Sequence, residues 1–241
     1  MIPKIIHVSW KNDSIFNSKS FMAQKGLLNL IKLNPDWKVQ FADDSQIEKY
    51  LKENLSTDAY SDISNKTIIE KLDLWRLLKI YNEGGLYTDL DRFCNIPLSE
   101  ILTDEIDCVL PTYLDVDFSH DLMLSAPGNP IFLTAANLNI QRRKMGYHQI
   151  YLLGPQTYMH AVTTILTGKI IESNCGQEVM NQLRKIIEST PFAKTYREVP
   201  WKNTMLFRMT PEWDNFGDAN YEEEMQKMYK EFDMHHWTGW F

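Results

Sequence analysis

The sequence predicts an α/β protein with a Rossmann-like, mainly parallel sheet flanked by helices. Strand-like and helix-like segments alternate from the N-terminus, and a long apolar helix stops at Gly84-Gly85 just before a short strand. No internal repeat, low-complexity tract or linker rich in Gly, Ser or Pro interrupts the chain, so residues 1–241 are expected to form one domain. With 44% hydrophobic and 12% aromatic residues, 241 residues can bury the core that such a domain requires.

Pro3 opens a first strand over residues 3–10, where Ile5, Ile6 and Val8 suit buried positions. Phe21 to Leu33 carry apolar residues at helical spacing until Asn34-Pro35 stops them. Trp37 to Phe41 alternate as a second strand, Asp43 or Asp44 caps a helix over residues 45–54, and the polar stretch from Asn54 to Asn65 reads as a loop. A helix over about residues 66–82 ends at Gly84-Gly85, a strand follows over 86–89, and Ile106 to Leu110 form another that Pro111 ends. Farther on, residues 120–126 read as a strand. Residues 130–145, 155–168 and 177–189 read as helices, the last with Val179, Leu183, Ile186 and Ile187 on one face.

Charge and cysteine content narrow the function. With 25 basic and 32 acidic residues, a net charge of −7 and no long basic cluster, the chain is not built to bind nucleic acid or an anionic membrane. Cys94, Cys108 and Cys175 are odd in number and widely spaced, which fits reduced thiols rather than a zinc site or a disulfide framework. The N-terminus lacks the pattern of a signal peptide, and no stretch of eighteen apolar residues occurs, so the sequence predicts a soluble protein without a transmembrane segment. Phosphate-loop, dinucleotide-fingerprint, His-Glu-x-x-His and nucleophile-elbow motifs are all absent. Glu222-Glu223-Glu224 reads as a solvated helix face, and Arg142-Arg143-Lys144 as a helix-end cluster complementing the dipole.

Residues 66–98 carry the chemistry. Asp89 and Asp91 sit at the predicted strand end, where a spacing of two turns both carboxylates to one side, toward one cation or phosphate-bound cation. Mn2+ or Mg2+ suits such a pair, because each takes hard oxygen ligands and keeps positions open for phosphate oxygens. Upstream, Asp73 and Arg76 share a face of a helix that is apolar almost all round. Spacing alone leaves two readings of that pair open: a salt bridge closing a polar gap, or a hydroxyl-binding pair in which Asp accepts from a sugar and Arg donates to it.

The run KLDLWRLLKIYNEGGLYTDLD resembles the DxD region of the glycosyltransferase family 32 enzymes, relatives of initiating mannosyltransferases and of clostridial glucosylating toxin domains. Asp73, Arg76, Tyr81, Gly84, Gly85, Tyr87, Asp89 and Asp91 fall on that family's pattern in register. IPKIIHVSW resembles the family's opening strand, which places His7, Ser9 and Trp10 at the donor, with Trp10 stacking on the base. SAPGNPIF (residues 125–132) and Gly154-Pro155-Gln156 resemble the small-residue segment and the Gly-Pro turn of the same family, the second also at the donor. The ending DMHHWTGWF resembles the closing His-His-aromatic segment, from which His235 or His236 would complete the metal site, although the serine expected before the last tryptophan is missing. Ser119-His120-Asp121 stands where relatives often carry an asparagine near the donor sugar, a departure that leaves sugar identity open.

The resemblance implies a GT-A type fold and a metal-dependent hexosyltransferase with Mn2+ or Mg2+ as cofactor. Such an enzyme moves a sugar from a UDP- or GDP-linked donor to a glycan, protein or small-molecule acceptor, with retention of configuration. Asp89, Asp91 and Arg76 are the expected catalytic residues; Tyr87 joins Asp73 and Arg76 among the donor-binding ones. The sequence does not name the donor, the acceptor or the oligomeric state. An inactive nucleotide-sugar-binding module and an unrelated metal-dependent phosphoryl enzyme remain the alternatives. Cytoplasmic location, with a bacterial or viral source, completes the expectation.

Overall fold

The computed structural model describes residues 1–93, 95–113, 117–118, 120–167, 185, 192–193, 196–198, 204–208 and 220–234. Strands β1 (Ile5–Ser9), β2 (Lys38–Ala42) and β3 (Gly85–Thr88) enclose the first helical segments: α1 (Phe21–Ala23), a π-helical turn Gln24–Leu28, α2 (Asn29–Leu33), α3 (Asp44–Asn54), α4 (Thr57–Ser64) and α5 (Ile68–Glu83). Next come β4 (Cys108–Tyr113), β5 (Asp117–Phe118), β6 (Leu122–Ser125), α6 (Pro130–Lys144), α7 (Ile150–Leu153) and α8 (Pro155–Thr167). The chain continues with β7 (Phe192–Ala193), β8 (Tyr196–Glu198), β9 (Thr204–Arg208) and α9 (Tyr221–Glu231).

The strands form one sheet in the order β2-β1-β3-β6-β4-β9-β8-β7, with β5 on β4. The β1 pairings with β2 and β3 and the β4 pairing with β9 are parallel; the others are antiparallel, so the sheet is mixed. Side chains alternate across it as strand geometry requires. Ile6, Val8, Leu86 and Leu124 enter one apolar layer with Leu27, Met225 and Met228. Tyr87 and Met123 enter the other with Trp75, Phe132 and Tyr158. Helices therefore cover both faces.

Most of the expected elements are present within a residue or two, and three readings change. The stretch read as a loop between Asn54 and Asn65 contains α4, capped by the Ser56 hydroxyl and anchored by buried Ala59 and Ile63. Its short length and polar outer face had hidden the pattern. Strand β4 runs through Pro111 to Tyr113 rather than ending there. Arg142 and Arg143 stand in the last turn of α6, at the helix end where they were expected, and are buried there. Arg143 pairs with Glu70 at 2.8 Å, and Arg142 donates to the Leu152 carbonyl at 2.6 Å and to Thr157 at 3.0 Å. Asp89 and Asp91 lie in the turn after β3, because the strand ends at Thr88. The expected helix over residues 177–189 falls outside the described residues except for Lys185, and Cys94 and Cys175 fall outside them too.

Helix α5 sets the position of everything that follows. A capping box between Thr67 and Glu70 starts it, and Leu74, Trp75, Leu77, Leu78 and Ile80 bury it on several sides. It stops because Gly84 and Gly85 take φ of 66° and 96°, values that L side chains rarely adopt. Any Cβ on Gly85 would also meet the Ile5 carbonyl oxygen at 2.5 Å, so only glycine lets the chain enter β3 beside β1.

Candidate active site

Parallel strands β1, β2 and β3 end at the same edge of the sheet, where open α/β sheets form ligand crevices. A cleft of about 180 Å3 opens there. Ser9, Trp10 and Lys11 line it after β1, Asp44 and Ile47 after β2, and Asp89, Leu90 and Asp91 after β3. Leu72 and Arg76 from α5 form its floor side, while Met225, Met228 and Tyr229 from α9 and Met234 beyond it close the top.

Both aspartates reach this cleft through a turn, not through strand alternation. The Arg92 amide donates to the Asp89 carbonyl at 3.3 Å, and the Asp89 amide donates to the Asp121 carbonyl at 2.8 Å. Leu90 between them is buried. Gly26 in the π-helical turn packs so tightly on this segment that a Cβ would meet the Leu90 carbonyl oxygen at 2.3 Å. The turn is thus held from both sides.

A polar chain runs beneath the pair. His120 Nε2 lies 3.3 Å from Asp73 Oδ1, Arg76 pairs with Asp73 at 3.1 Å, and Arg76 pairs again with Asp89 at 3.3 Å. Arg76 also donates to the His120 carbonyl at 3.3 Å and stacks its guanidinium 4.8 Å from the Tyr87 ring centre. The Tyr87 hydroxyl donates to Asp89 Oδ1. Beside this chain, Arg92 forms an ion pair with Asp121, and the Tyr221 hydroxyl donates to Asp91 Oδ2 at 2.7 Å.

The electrostatics separate Asp73 from the other two carboxyls. Burial pushes the Asp73 carboxyl up, but Arg76 and His120 outweigh it and hold it below the ordinary range. For Asp89, burial raises the carboxyl, Arg76 opposes, and the charges of Asp91 and Asp121 add to the rise. Burial likewise raises Asp91 against the opposition of Arg92 and Tyr221. Two carboxylates crowded with a third, each disfavoured as an anion, form a site that a divalent cation relieves. Two carboxylates are also as many as Mg2+ or Mn2+ requires when phosphate oxygens supply the rest. The donor set therefore fits such an ion. Among the described residues no group of three His, Cys, Asp or Glu side chains forms a metal cluster, and His235 and His236 lie outside the described residues.

Several expected donor residues are placed differently. His7 is buried, with Nε2 2.8 Å from the Gly84 carbonyl oxygen, and lines a separate small cavity with Gln40 and Trp75. It lies two residues back from the end of β1, beside Trp75 and Lys79 of α5, and supports the β1 to β3 junction instead. Tyr87 is buried and acts on Asp89 rather than lining the cleft. Gly154 packs against Asp73, where a Cβ would stand 2.3 Å from Oδ2. Pro155 starts α8, and Gln156 accepts from Arg142 at 3.4 Å, behind this contact. Ser9 and Trp10 do line the cleft, and Trp10 meets Tyr229 and Phe232 edge-on at 5.7 and 5.5 Å.

His120, Asp121, Arg92, Tyr221 and Tyr229 complete the site without having been singled out as site residues. His120 and Asp121 stood in the segment that departs from the family pattern, which was the available signal. Nothing local marked Tyr221, which is 130 residues from Asp91.

Comparison with known proteins agrees with this geometry. Residues 20–107 match the family described as glycosyltransferase sugar-binding region containing DXD motif, the stretch that includes Asp73, Arg76, Asp89 and Asp91. Inositol phosphoceramide mannosyltransferase 1 of Schizosaccharomyces pombe is 28% identical over 153 residues, 62% of this chain and 46% of its own length. A mannosyl phosphorylinositol ceramide synthase of Saccharomyces cerevisiae is 30% identical over 139 residues, 56% of this chain and 34% of its own length. The chain thus spans less than half the length of these yeast relatives. A glycosyltransferase of Acanthamoeba polyphaga mimivirus is 28% identical over 141 residues, covering 55% of this chain and 53% of its own length. The solved PaToxG glycosyltransferase superposes with a TM-score of 0.53 over 78% of this chain and 75% of its own, at 20% identity. The fold is therefore of the GT-A type, and the resemblance carried by the DxD region is borne out.

Proposed function

We propose that this protein is a metal-dependent glycosyltransferase that moves a hexosyl group from a nucleoside-diphosphate sugar to a hydroxyl acceptor, with the whole chain acting as one catalytic domain. One observation carries the reading: Asp89 and Asp91 stand at the carboxyl ends of parallel strands, on a cleft shared with Trp10 and Arg76. The names of the yeast relatives favour a mannosyl donor, and hence GDP as readily as UDP.

In this reading the Trp10 indole holds the base. Asp73 and Arg76, locked to each other and to Asp89, orient the donor sugar, with Asp accepting from its hydroxyls and Arg donating. Asp89 and Asp91 would hold Mn2+ or Mg2+, with His235 or His236 as a further ligand. A cation bound there supplies charge to stabilise the departing diphosphate. The bond between the anomeric carbon and the diphosphate oxygen breaks, the acceptor oxygen bonds to the same carbon, and the acceptor proton leaves to the freed diphosphate. Departure and attack on one face retain configuration and require no carboxylate nucleophile. Met225, Met228 and Leu72 line the cleft with apolar surface that excludes water from the reacting centre. The acceptor class, glycan, protein or small molecule, is left to experiment. No described helix is long and apolar enough to cross a membrane; we place the reaction in the cytoplasm.

The test is a panel of UDP- and GDP-sugars, each with Mn2+, Mg2+ or EDTA, read by thermal shift and by donor hydrolysis. Cation-dependent stabilisation with slow hydrolysis of one donor is the expected result. Stabilisation without turnover, even with acceptors present, would identify a binding module, and phosphate-ester cleavage without sugar preference would identify a phosphoryl enzyme.

A further inference from the structure

Tyr221 is the first residue of α9, and its hydroxyl donates to Asp91 Oδ2 at 2.7 Å, joining the C-terminal helix to the turn after β3. The rest of α9 is fixed at its other end. Lys11 donates to the Phe232 and Asp233 carbonyls at 2.9 and 3.2 Å, Ser18 donates to Glu231 at 2.8 Å, and Met225 and Met228 are buried in the core. The start of α9 is thus tied to the candidate metal ligand itself. A carboxylate with one oxygen taken by a phenol is limited in how it can rotate, and it presents the remaining oxygen in a defined direction.

We infer that Tyr221 is a positioning residue for Asp91: it orients the carboxylate for a divalent cation, and by linkage a cation bound at Asp91 steadies the start of α9 over the cleft. This rests on the reading of Asp91 as a cation ligand. The coupling is reciprocal, because a contact that favours the bound cation must itself be favoured when the cation is present. Outer partners of metal ligands commonly change affinity by about 10- to 100-fold when removed. A phenylalanine keeps the ring and removes the bond, so Tyr221→Phe isolates the effect.

The experiment measures Mn2+ affinity by electron paramagnetic resonance of the free ion for wild type, Tyr221→Phe and Asp91→Asn, together with amide exchange across residues 221–231 with and without Mn2+. The expected result for Tyr221→Phe is an affinity weakened about 10-fold or more, with a metal-free melting temperature within about 4 °C of wild type. Mn2+ is expected to slow exchange across α9 in wild type and not in the variant. Equal affinity and equal slowing in wild type and variant would overturn the inference. If the variant does not fold, the wild-type exchange decides: no slowing by Mn2+ overturns it. Absence of Mn2+ binding in wild type, or undiminished binding in Asp91→Asn, overturns the assignment of Asp91 as a ligand, and does so without reference to Tyr221.

Discussion

Asp73 and Arg76, one turn apart on α5, form an ion pair of 3.1 Å with their side chains only 4% and 5% exposed. Each end is engaged again, Asp73 by His120 and Arg76 by Asp89, so the pair is the middle of a four-residue chain ending at the cleft. The two readings that spacing left open therefore need not compete: the salt bridge is formed, and it is continuous with the site. Removing Asp73 leaves a buried guanidinium with Asp89 as its paired carboxylate, beside the His120 carbonyl and the Tyr87 ring. Asp73→Ala is expected to lower stability by about 3 kcal/mol, the low end for a broken buried pair, measured by urea denaturation. Donor turnover should fall with it, since Asp89 loses the neighbour that fixes Arg76.

Gly154 is required for space rather than for its backbone angles, since its φ is −93°. A methyl group there would stand 2.3 Å from Asp73 Oδ2 and 3.2 Å from His120 Nε2. Gly154→Ala must displace Asp73 or the start of α8, and overpacking of this kind costs about 1–3 kcal/mol. Donor hydrolysis should fall more than the melting temperature alone suggests. Wild-type turnover in the alanine variant would separate Asp73 from the chemistry.

The parts of the site carried by local pattern were legible in the sequence. The apolar run of α5, its Gly84-Gly85 stop and the Asp89, Asp91 pair all lie within a short window, where propensity and spacing speak directly. His120, Asp121 and Tyr221 reach the site from distant elements, and no periodicity encodes which distant residues meet. Placing Asp89 and Asp91 on a strand was reasonable from their spacing, but β3 stops at Thr88 and the turn hydrogen bond from Arg92 to Asp89 brings the carboxylates together instead. Arg142 and Arg143 read as a helix-end cluster, and they do stand in the last turn of α6. Only the packing of α6 against α5 and α8 reveals that their charges are used inside.

Arg143 provides a structural contrast to the site. It pairs with Glu70 at 2.8 Å and donates from Nε to Asn139 at 2.8 Å, well inside the protein. Burial raises the Glu70 carboxyl, but Arg143 and Thr67 outweigh it and leave the pKa lowered. A lowered carboxyl contributes stability above its unfolded value of 4.5, and that contribution disappears as pH falls through the folded value. Arg143→Met should therefore lower stability by about 3 kcal/mol at neutral pH, by much less in acid, and leave Mn2+ affinity unchanged. Adding Glu70→Leu should recover part of the loss, which a double-mutant cycle by denaturation measures directly.

Asp91 should behave in the opposite sense, because its carboxyl is raised rather than lowered. A raised carboxyl holds its proton more tightly in the folded state. Relative to a neutral side chain, its contribution is fully present below the unfolded value of 3.8 and is lost as pH rises through the folded value. At neutral pH, well above the unfolded value, the buried Asp91 carboxyl beside Asp121 thus destabilises the metal-free protein. Asp91→Asn keeps the shape and an acceptor for Tyr221 while removing the charge. In EDTA at pH 7 it should melt about 2–4 °C above wild type, corresponding to about 1 kcal/mol for a chain of this size, with the difference vanishing below about pH 4. Mn2+ should reverse the order: saturating cation at 100 times its dissociation constant adds about 2.7 kcal/mol to wild type and little to the variant, which should also lack turnover. Melting curves for the two proteins with EDTA and with Mn2+, at pH 4 and pH 7, test all of these signs together. A variant that melts below wild type in EDTA at neutral pH would mean that Asp91 is satisfied without a cation, and would remove the electrostatic argument for a metal site.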